Sequence, residues 1–252
     1  MAELAEADFF LGRQLRLRQL AHGHRAGTDA VLLAAAAPAQ IDGLALDVGA
    51  GVGAAGLALA RLRPGIAFGL VENDAATAAL ARENLALNQF DQRGTVYETD
   101  VLDAPERRAI GLADGAAALV ITNPPFLDPA RARLSPDAGK RAAHAMTVAG
   151  PQALADWLAA CLALLRDGGT LVLIHRPDAL PAILAALEGR AGAQVLISVQ
   201  PRVDRAATRI LLRAQKGSRG PLTIAPPLVL HEGERFTAYA DAIHRGTALI
   251  DW

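Results

Sequence analysis

The sequence predicts an α/β fold in which a seven-stranded, mostly parallel sheet with an antiparallel last strand is covered by helices on both faces. Three observations lead there. From Leu44 onward, apolar runs of five or six residues alternate with longer stretches of helical periodicity, the pattern of parallel strands buried on both sides. Asp47-Val48-Gly49-Ala50-Gly51-Val52-Gly53 follows the first apolar run and opens a helix, so its backbone must pass tightly beneath something bound at the strand ends. Only a short polar stretch with Pro201-Arg202-Val203-Asp204-Arg205 separates the last two strand patterns. That leaves no room for a crossover helix, so these two strands should pair antiparallel.

Taken in order, strands are expected near 44–48, 66–71, 94–99, 116–122, 169–175, 193–200 and 207–214, and helices near 53–62, 75–88, 151–166 and 177–188, with a short one around 105–111. Asp74 stands where it can cap the second helix, while Pro151 sits just inside the third and Gly168-Gly169 just beyond it. Residues 1–43 read as an N-terminal cap: a short strand around Gln14–Gln19, a turn through His22-Gly23-His24, then a helix from Thr28 or Asp29, the residues expected to cap it, to about Ala37. Residues 44–215 form the main domain. Residues 216–252, with Pro221, Pro226, Pro227, the apolar Leu228-Val229-Leu230 and a helix expected from Phe236 to His244, read as an extension packed back upon it.

The chain has 252 residues, 52% of them apolar, enough for a substantial core. Its first residues are acidic rather than basic and lack the apolar stretch of a secretory signal, and charges interrupt the Ala-rich segments before a membrane span is reached. A cytoplasmic home without membrane attachment is expected. Cys161 is the sole cysteine, so no intrachain disulfide or cysteine-based zinc cluster is possible, and its apolar helical surroundings suit a core thiol. No His/Cys/Asp/Glu spacing suggests a metal, and His22, His24, His144 and His175 read as surface or structural side chains. The net charge of −1 excludes indiscriminate capture of polyanions. Arginines nevertheless cluster at Arg13, Arg16, Arg18 and Arg25, at Arg131, Arg133, Lys140 and Arg141, and again at Arg202, Arg205 and Arg209; the last two groups are candidate nucleic-acid contacts.

Asn123-Pro124-Pro125-Phe126 follows the apolar run ending in Ile121 after Thr122 alone, where a buried strand stops and a loop opens over the sheet. Proline fixes its own φ and restricts the residue before it, which holds the Asn123 side chain and the Pro124 carbonyl as two aimed hydrogen-bond acceptors. A planar amino group fits two such acceptors, and the Phe126 ring offers a stacking face worth roughly 1–3 kcal/mol to a nucleobase. The glycine loop also satisfies the dinucleotide fingerprint through Gly51, Gly53 and Gly56. Glu72, ending the second strand, suits a ribose hydroxyl, so the loop by itself admits either NAD or S-adenosylmethionine. Three features favour the sulfonium cofactor: Asp47 two positions before Gly49, the antiparallel end of the sheet, and Asp100, which ends the third strand where it can accept from an adenine amino group. Asn73 and Val101, each one position past these acids, complete with Ala50 the expected cofactor-binding set.

Together the loop, the acidic strand ends and the Asn-Pro-Pro-Phe motif resemble the class I S-adenosylmethionine-dependent methyltransferases of the amino-methylating branch, over roughly residues 44–214. Arg25-Ala26-Gly27-Thr28-Asp29-Ala30-Val31-Leu32-Leu33 extends the likeness and is similar to the bacterial tRNA1(Val) adenine-N6-methyltransferase family. The resemblance implies a Rossmann-like methyltransferase fold, S-adenosyl-L-methionine as cofactor, a segment through Arg25, Gly27 and Thr28 covering it, and methylation of the adenine beside the anticodon of tRNA. Phe126 departs from the tyrosine of many adenine-modifying enzymes, which keeps guanine-N2 methylation of ribosomal RNA open, as a side-chain amide keeps protein glutamine N5-methylation open. Outside methyl transfer, the alternatives are an NAD(P)-dependent oxidoreductase and an RNA-binding module without turnover.

Overall fold

The computed structural model of the chain describes residues 7–19, 26–125 and 151–252. Arg25, Phe126, Arg131, Arg133, Lys140 and Arg141, together with His22, His24 and His144, lie outside the described residues.

The seven expected strands form: β3 (Leu44–Val48), β4 (Phe68–Glu72), β5 (Gly94–Glu98), β6 (Ala117–Thr122), β7 (Leu165–His175), β8 (Ala191–Gln200) and β9 (Arg209–Lys216). Two short strands precede them, β1 (Asp8–Phe10) and β2 (Leu15–Leu17), and four two-residue strands follow: β10 (Thr223–Ile224), β11 (Leu228–Val229), β12 (His231–Glu232) and β13 (Arg235–Phe236). The helices are α1 (Thr28–Ala35), α2 (Ala54–Leu62), α3 (Ala75–Leu87), α4 (Ala104–Ala109), α5 (Pro151–Leu164), α6 (Leu180–Leu187) and α7 (Ala238–His244). The sheet runs β10-β8-β9-β7-β6-β3-β4-β5, and β11 also pairs with β8.

All neighbours from β7 through β6, β3 and β4 to β5 are parallel. Strand β9 inserts between β7 and β8 and is antiparallel to both. The expected antiparallel pairing is therefore present, but the reversed strand lies inside the sheet, and β10 and β11 extend its edge parallel to β8.

Alternation along the strands sends side chains to two separate cores. Ala45, Leu70, Leu119, Ile121, Val172 and Ile174 pack on one face with α1 and α2. Leu46, Val48, Val120, Leu171 and Leu173 pack on the other with α5 and α6. Cys161 is fully buried in the second core, and burial pushes its thiol up to about 12, which leaves it an inert apolar group.

The N-terminal hairpin β1–β2 is fastened to the body by α3. Asn84, fully buried, accepts from the Arg18 amide at 2.7 Å and donates to the Arg18 carbonyl at 3.0 Å and to Val52 O at 2.9 Å. One turn later, Asn88 repeats the reciprocal pair with Arg16. At the other terminus, the Ile250 amide and the Trp252 indole donate to the carbonyls of Ala35 and Ala36, satisfying the last turn of α1. No helix among the described residues is long and apolar enough to cross a membrane.

Candidate active site

Strand order reverses at β3. The chain leaves β3 for β4 and β5 on one side, then returns to place β6 and β7 on the other. Such a switch point opens a crevice at the carboxyl ends of the two diverging strands. Val48 pairs with Thr122, so the glycine loop after β3 and Asn123 after β6 are neighbours across that crevice, about one strand spacing of ~4.8 Å apart.

The loop is held from below. The amides of Gly49 and Ala50 both donate to Val71 O at 3.0 Å, the Gly51 amide donates to Glu72 Oε2 at 2.9 Å, and the Gly53 amide to Ala50 O at 2.9 Å. Gly49, Gly51 and Gly53 all have positive φ. At Gly49 a Cβ would lie 2.9 Å from the Trp157 ring, whereas at Gly51 it would meet nothing within 4 Å among the described residues. The loop therefore presses Gly49 on the protein and turns Gly51 to open space.

Asp47 is 3% exposed, on the α2 face of β3, and its Oδ2 accepts from the Gly56 amide at 2.7 Å. Burial raises its carboxyl from the ordinary 3.8 to about 7; the Gly56 bond works against the rise, and the negative charge of Glu72 adds to it. Both oxygens of Glu72 are engaged, Oε2 with Gly51 and Oε1 with the Asp74 amide at 2.9 Å, so this carboxylate ties the end of β4 to the glycine loop. Asn73 beside it is exposed. Asp74 caps α3 as expected, accepting from the Thr77 amide at 2.9 Å. Asp100 Oδ1 accepts from the Leu102 amide at 2.9 Å in a turn after β5, and Val101 is buried beneath it.

Asn123 directly follows β6, its side-chain Oδ1 buried and without a hydrogen-bond partner among the described residues. A buried amide oxygen left unpaired costs on the order of 1–3 kcal/mol, so its direction is imposed by what surrounds it. Pro124 behind it is buried and Pro125 exposed. The residue before Asn123 does the anchoring: Thr122 Oγ1 donates to Val48 O at 2.8 Å and accepts from the Trp157 indole at 3.0 Å. One aromatic side chain of α5 thereby touches Gly49 and locks the end of β6. Sequence reading passed over Trp157 and Thr122, since nothing in a helical stretch or a buried strand marks either one.

At the start of α1 the structure corrects the capping expectation. Gly27 is the N-cap, with no side-chain cap bond. Thr28 Oγ1 lies 3.3 Å from His244 Nε2, and Asp29 forms an ion pair with Arg209 at 2.8 Å, both partners partly buried. Those two side chains reach across to β9 and α7. Arg209 is thus engaged at the helix start, while Arg202 and Arg205 lie in the turn after β8, away from the crevice.

The methyltransferase small domain model matches residues 25–179. A tRNA1(Val) (adenine(37)-N6)-methyltransferase of Aeromonas hydrophila is 30% identical over 202 residues, 77% of each chain. One from Pectobacterium carotovorum is 34% identical over 106 residues, a match that covers 42% of this chain and only 41% of that relative. Among solved structures, a predicted O-methyltransferase from Agrobacterium tumefaciens superposes with a TM-score of 0.73 at 33% identity, over 88% of this chain and 98% of the other. TYW2 of M. jannaschii in complex with S-adenosylmethionine shares the fold at 12% identity, with a TM-score of 0.52 over 80% of this chain and 81% of its own. From the family match over residues 25–179 and the likeness over most of the chain to relatives at 30% and 33% identity, the chain belongs to the methyltransferase small domain family and is a class I S-adenosylmethionine-dependent methyltransferase.

Proposed function

We propose that the protein methylates the N6 amino group of an adenine in RNA, with tRNA beside the anticodon as the substrate. Membership of a methyltransferase family replaces the nicotinamide-dependent alternative. The observation that carries the reading is the buried Oδ1 of Asn123, unpartnered among the described residues and placed just past a strand locked to the glycine loop. The tRNA1(Val) (adenine(37)-N6) activity named for relatives at 30% identity supports the choice of adenine and of tRNA.

The donor set suits S-adenosylmethionine. Space over Gly51 accommodates a ligand, Glu72 and Asp100 each have carboxylate capacity left beside their backbone bonds, and Asp47 lays a buried acid beneath the loop. When bound there, the cofactor supplies a methyl group already activated on a sulfonium. Asn123 Oδ1 and the Pro124 carbonyl accept the two hydrogens of the incoming amine, favouring a pyramidal nitrogen whose lone pair points into the crevice. With Asn123 and Pro124 holding that nitrogen, the proton that it must shed on alkylation passes to solvent. Holding the reactants in line supplies roughly 7–11 kcal/mol of the barrier, so no strong base is needed. A base paired in a helix cannot reach the crevice, so the target is an unstacked loop base or a flipped one.

Nucleoside mass spectrometry of RNA from deleted and complemented cells tests this. N6-methyladenine in tRNA is expected to vanish and return with the gene. In vitro, Asn123→Ala should keep cofactor affinity within about twofold while turnover falls by roughly 10²–10³, the usual penalty for losing one aimed polar contact of a transition state. Loss of N2-methylguanine from rRNA, or of methylglutamine from protein, in place of the tRNA mark would overturn the assignment.

A further inference from the structure

A second concavity lies on the same edge of the sheet. A cleft of about 500 Å³ opens between the turn after β8 and the β12–β13 hairpin, lined by Pro201, Arg202, Arg205, His231, Gly233 and Glu234. Strands β6, β7 and β8 run in the same direction, with β9 reversed between the last two. The cleft therefore opens at the carboxyl end of β8, three strand positions from Asn123. At ~4.8 Å per strand that is roughly 14 Å, about four nucleotides at the 3.4 Å rise of one stacked strand.

The cationic side chains of this cleft are under-used by the protein. Arg202 Nε donates to Gly233 O at 3.2 Å, which orients the guanidinium and, among the described residues, leaves its terminal nitrogens for another acceptor. The ion-pair partner of Arg205 is the adjacent Asp204 at 3.9 Å, both side chains well exposed, a pairing worth little. The wall opposite is stiff. His231 Nδ1 donates to Pro201 O at 3.2 Å, and its ring stacks on Phe236 with centroids 4.7 Å apart; Phe236 stacks in turn on His244 at 4.2 Å. Glu234 is the acid in the lining.

We propose that this cleft seats a backbone phosphate of the RNA whose target base is held at Asn123, with Arg202 and Arg205 as its donors. The inference rests on the RNA reading of the active site. Guanidinium forks match phosphate oxygens bidentately, and the spacing from Asn123 suits a flanking nucleotide of the same strand. Arg209, committed to Asp29, takes no part.

The test is tRNA binding by fluorescence anisotropy across a salt series, using tRNA from a strain lacking the protein. The variants are Arg202→Ala with Arg205→Ala, and separately Glu234→Gln, with calorimetric affinity for S-adenosylmethionine as the control for folding. The double variant should bind tRNA at least about tenfold more weakly and lower the slope of log K against log salt by about 1, the share of one phosphate. Its KM for tRNA should rise while kcat stays. Glu234→Gln, which removes the one carboxylate from the lining, should tighten binding. An unchanged affinity and slope in the double variant, or weaker binding by Glu234→Gln, overturns the cleft even where the wild type methylates tRNA normally. A wild type that methylates only a protein overturns the substrate reading, and the cleft with it.

Discussion

Replacing Asp47 by Asn should make the cofactor-free protein more stable, and increasingly so as the pH rises. The side-chain oxygen that accepts from Gly56 is retained, while the buried charge is removed. The native carboxyl stands at about 7 against 3.8 when solvated, chiefly because burial penalises its charged form. A group whose folded pKa is raised contributes fully below its unfolded pKa, and that contribution is lost as the pH climbs to the folded value. The difference of about three units is worth ~4 kcal/mol at 1.36 kcal/mol per unit, already partly lost at pH 5. Between pH 5 and pH 8 the advantage of Asp47→Asn over the wild type should therefore grow by about 2.5 kcal/mol. Urea unfolding at pH 5, 6, 7 and 8 measures it. The companion measurement is calorimetric: binding of the cationic cofactor favours the ionised carboxylate, so wild-type affinity should increase with pH through about 7 with proton release, and the Asn variant should show neither. A stability difference constant over the whole range would refute the buried, strained acid.

The glycine loop and the N-terminal hairpin give further tests. Gly51→Ala should cost only the ~1–2 kcal/mol of a left-handed alanine but impair cofactor binding, whereas Gly49→Ala meets the Trp157 ring as well and should lose roughly another 1–3 kcal/mol of stability; equal losses in melting experiments would contradict the assigned faces. Asn84→Ala removes three hydrogen bonds to Arg18 and Val52 at about 1 kcal/mol each. It should also speed amide exchange at residues 15–18, and unchanged exchange there would show that the hairpin is held by other means.

The central strands were legible because they are buried on both faces and read as apolar runs, as Leu119-Val120-Ile121 shows, and the others by apolar stretches such as Ile210-Leu211-Leu212 even where part of the strand is exposed. Asn123 and the loop glycines were legible because backbone restriction is written locally, in Pro124 and in residues without a Cβ. What escaped was contact between distant parts of the chain. Strand β1 is three residues long and exists through pairing with β2, and β10 to β13 are two-residue bridges with no periodicity to detect. Thr28 and Asp29 look like caps because the residues that recruit them, His244 and Arg209, are 216 and 180 positions away. Trp157 is hidden for the same reason: its role is defined by Thr122 and Gly49, not by its neighbours on α5.

Helix α1 is gripped at both ends by the tail, through His244 at its first residue and through Ile250 and Trp252 at its last carbonyls. During synthesis that helix leaves the ribosome more than 200 residues before its clamps. The bonds at the two ends of that helix therefore form only after residues 244–252 have been made, and a chain truncated before them would keep the glycine loop with its bonds to Val71 and Glu72 but lose this grip on the segment just upstream.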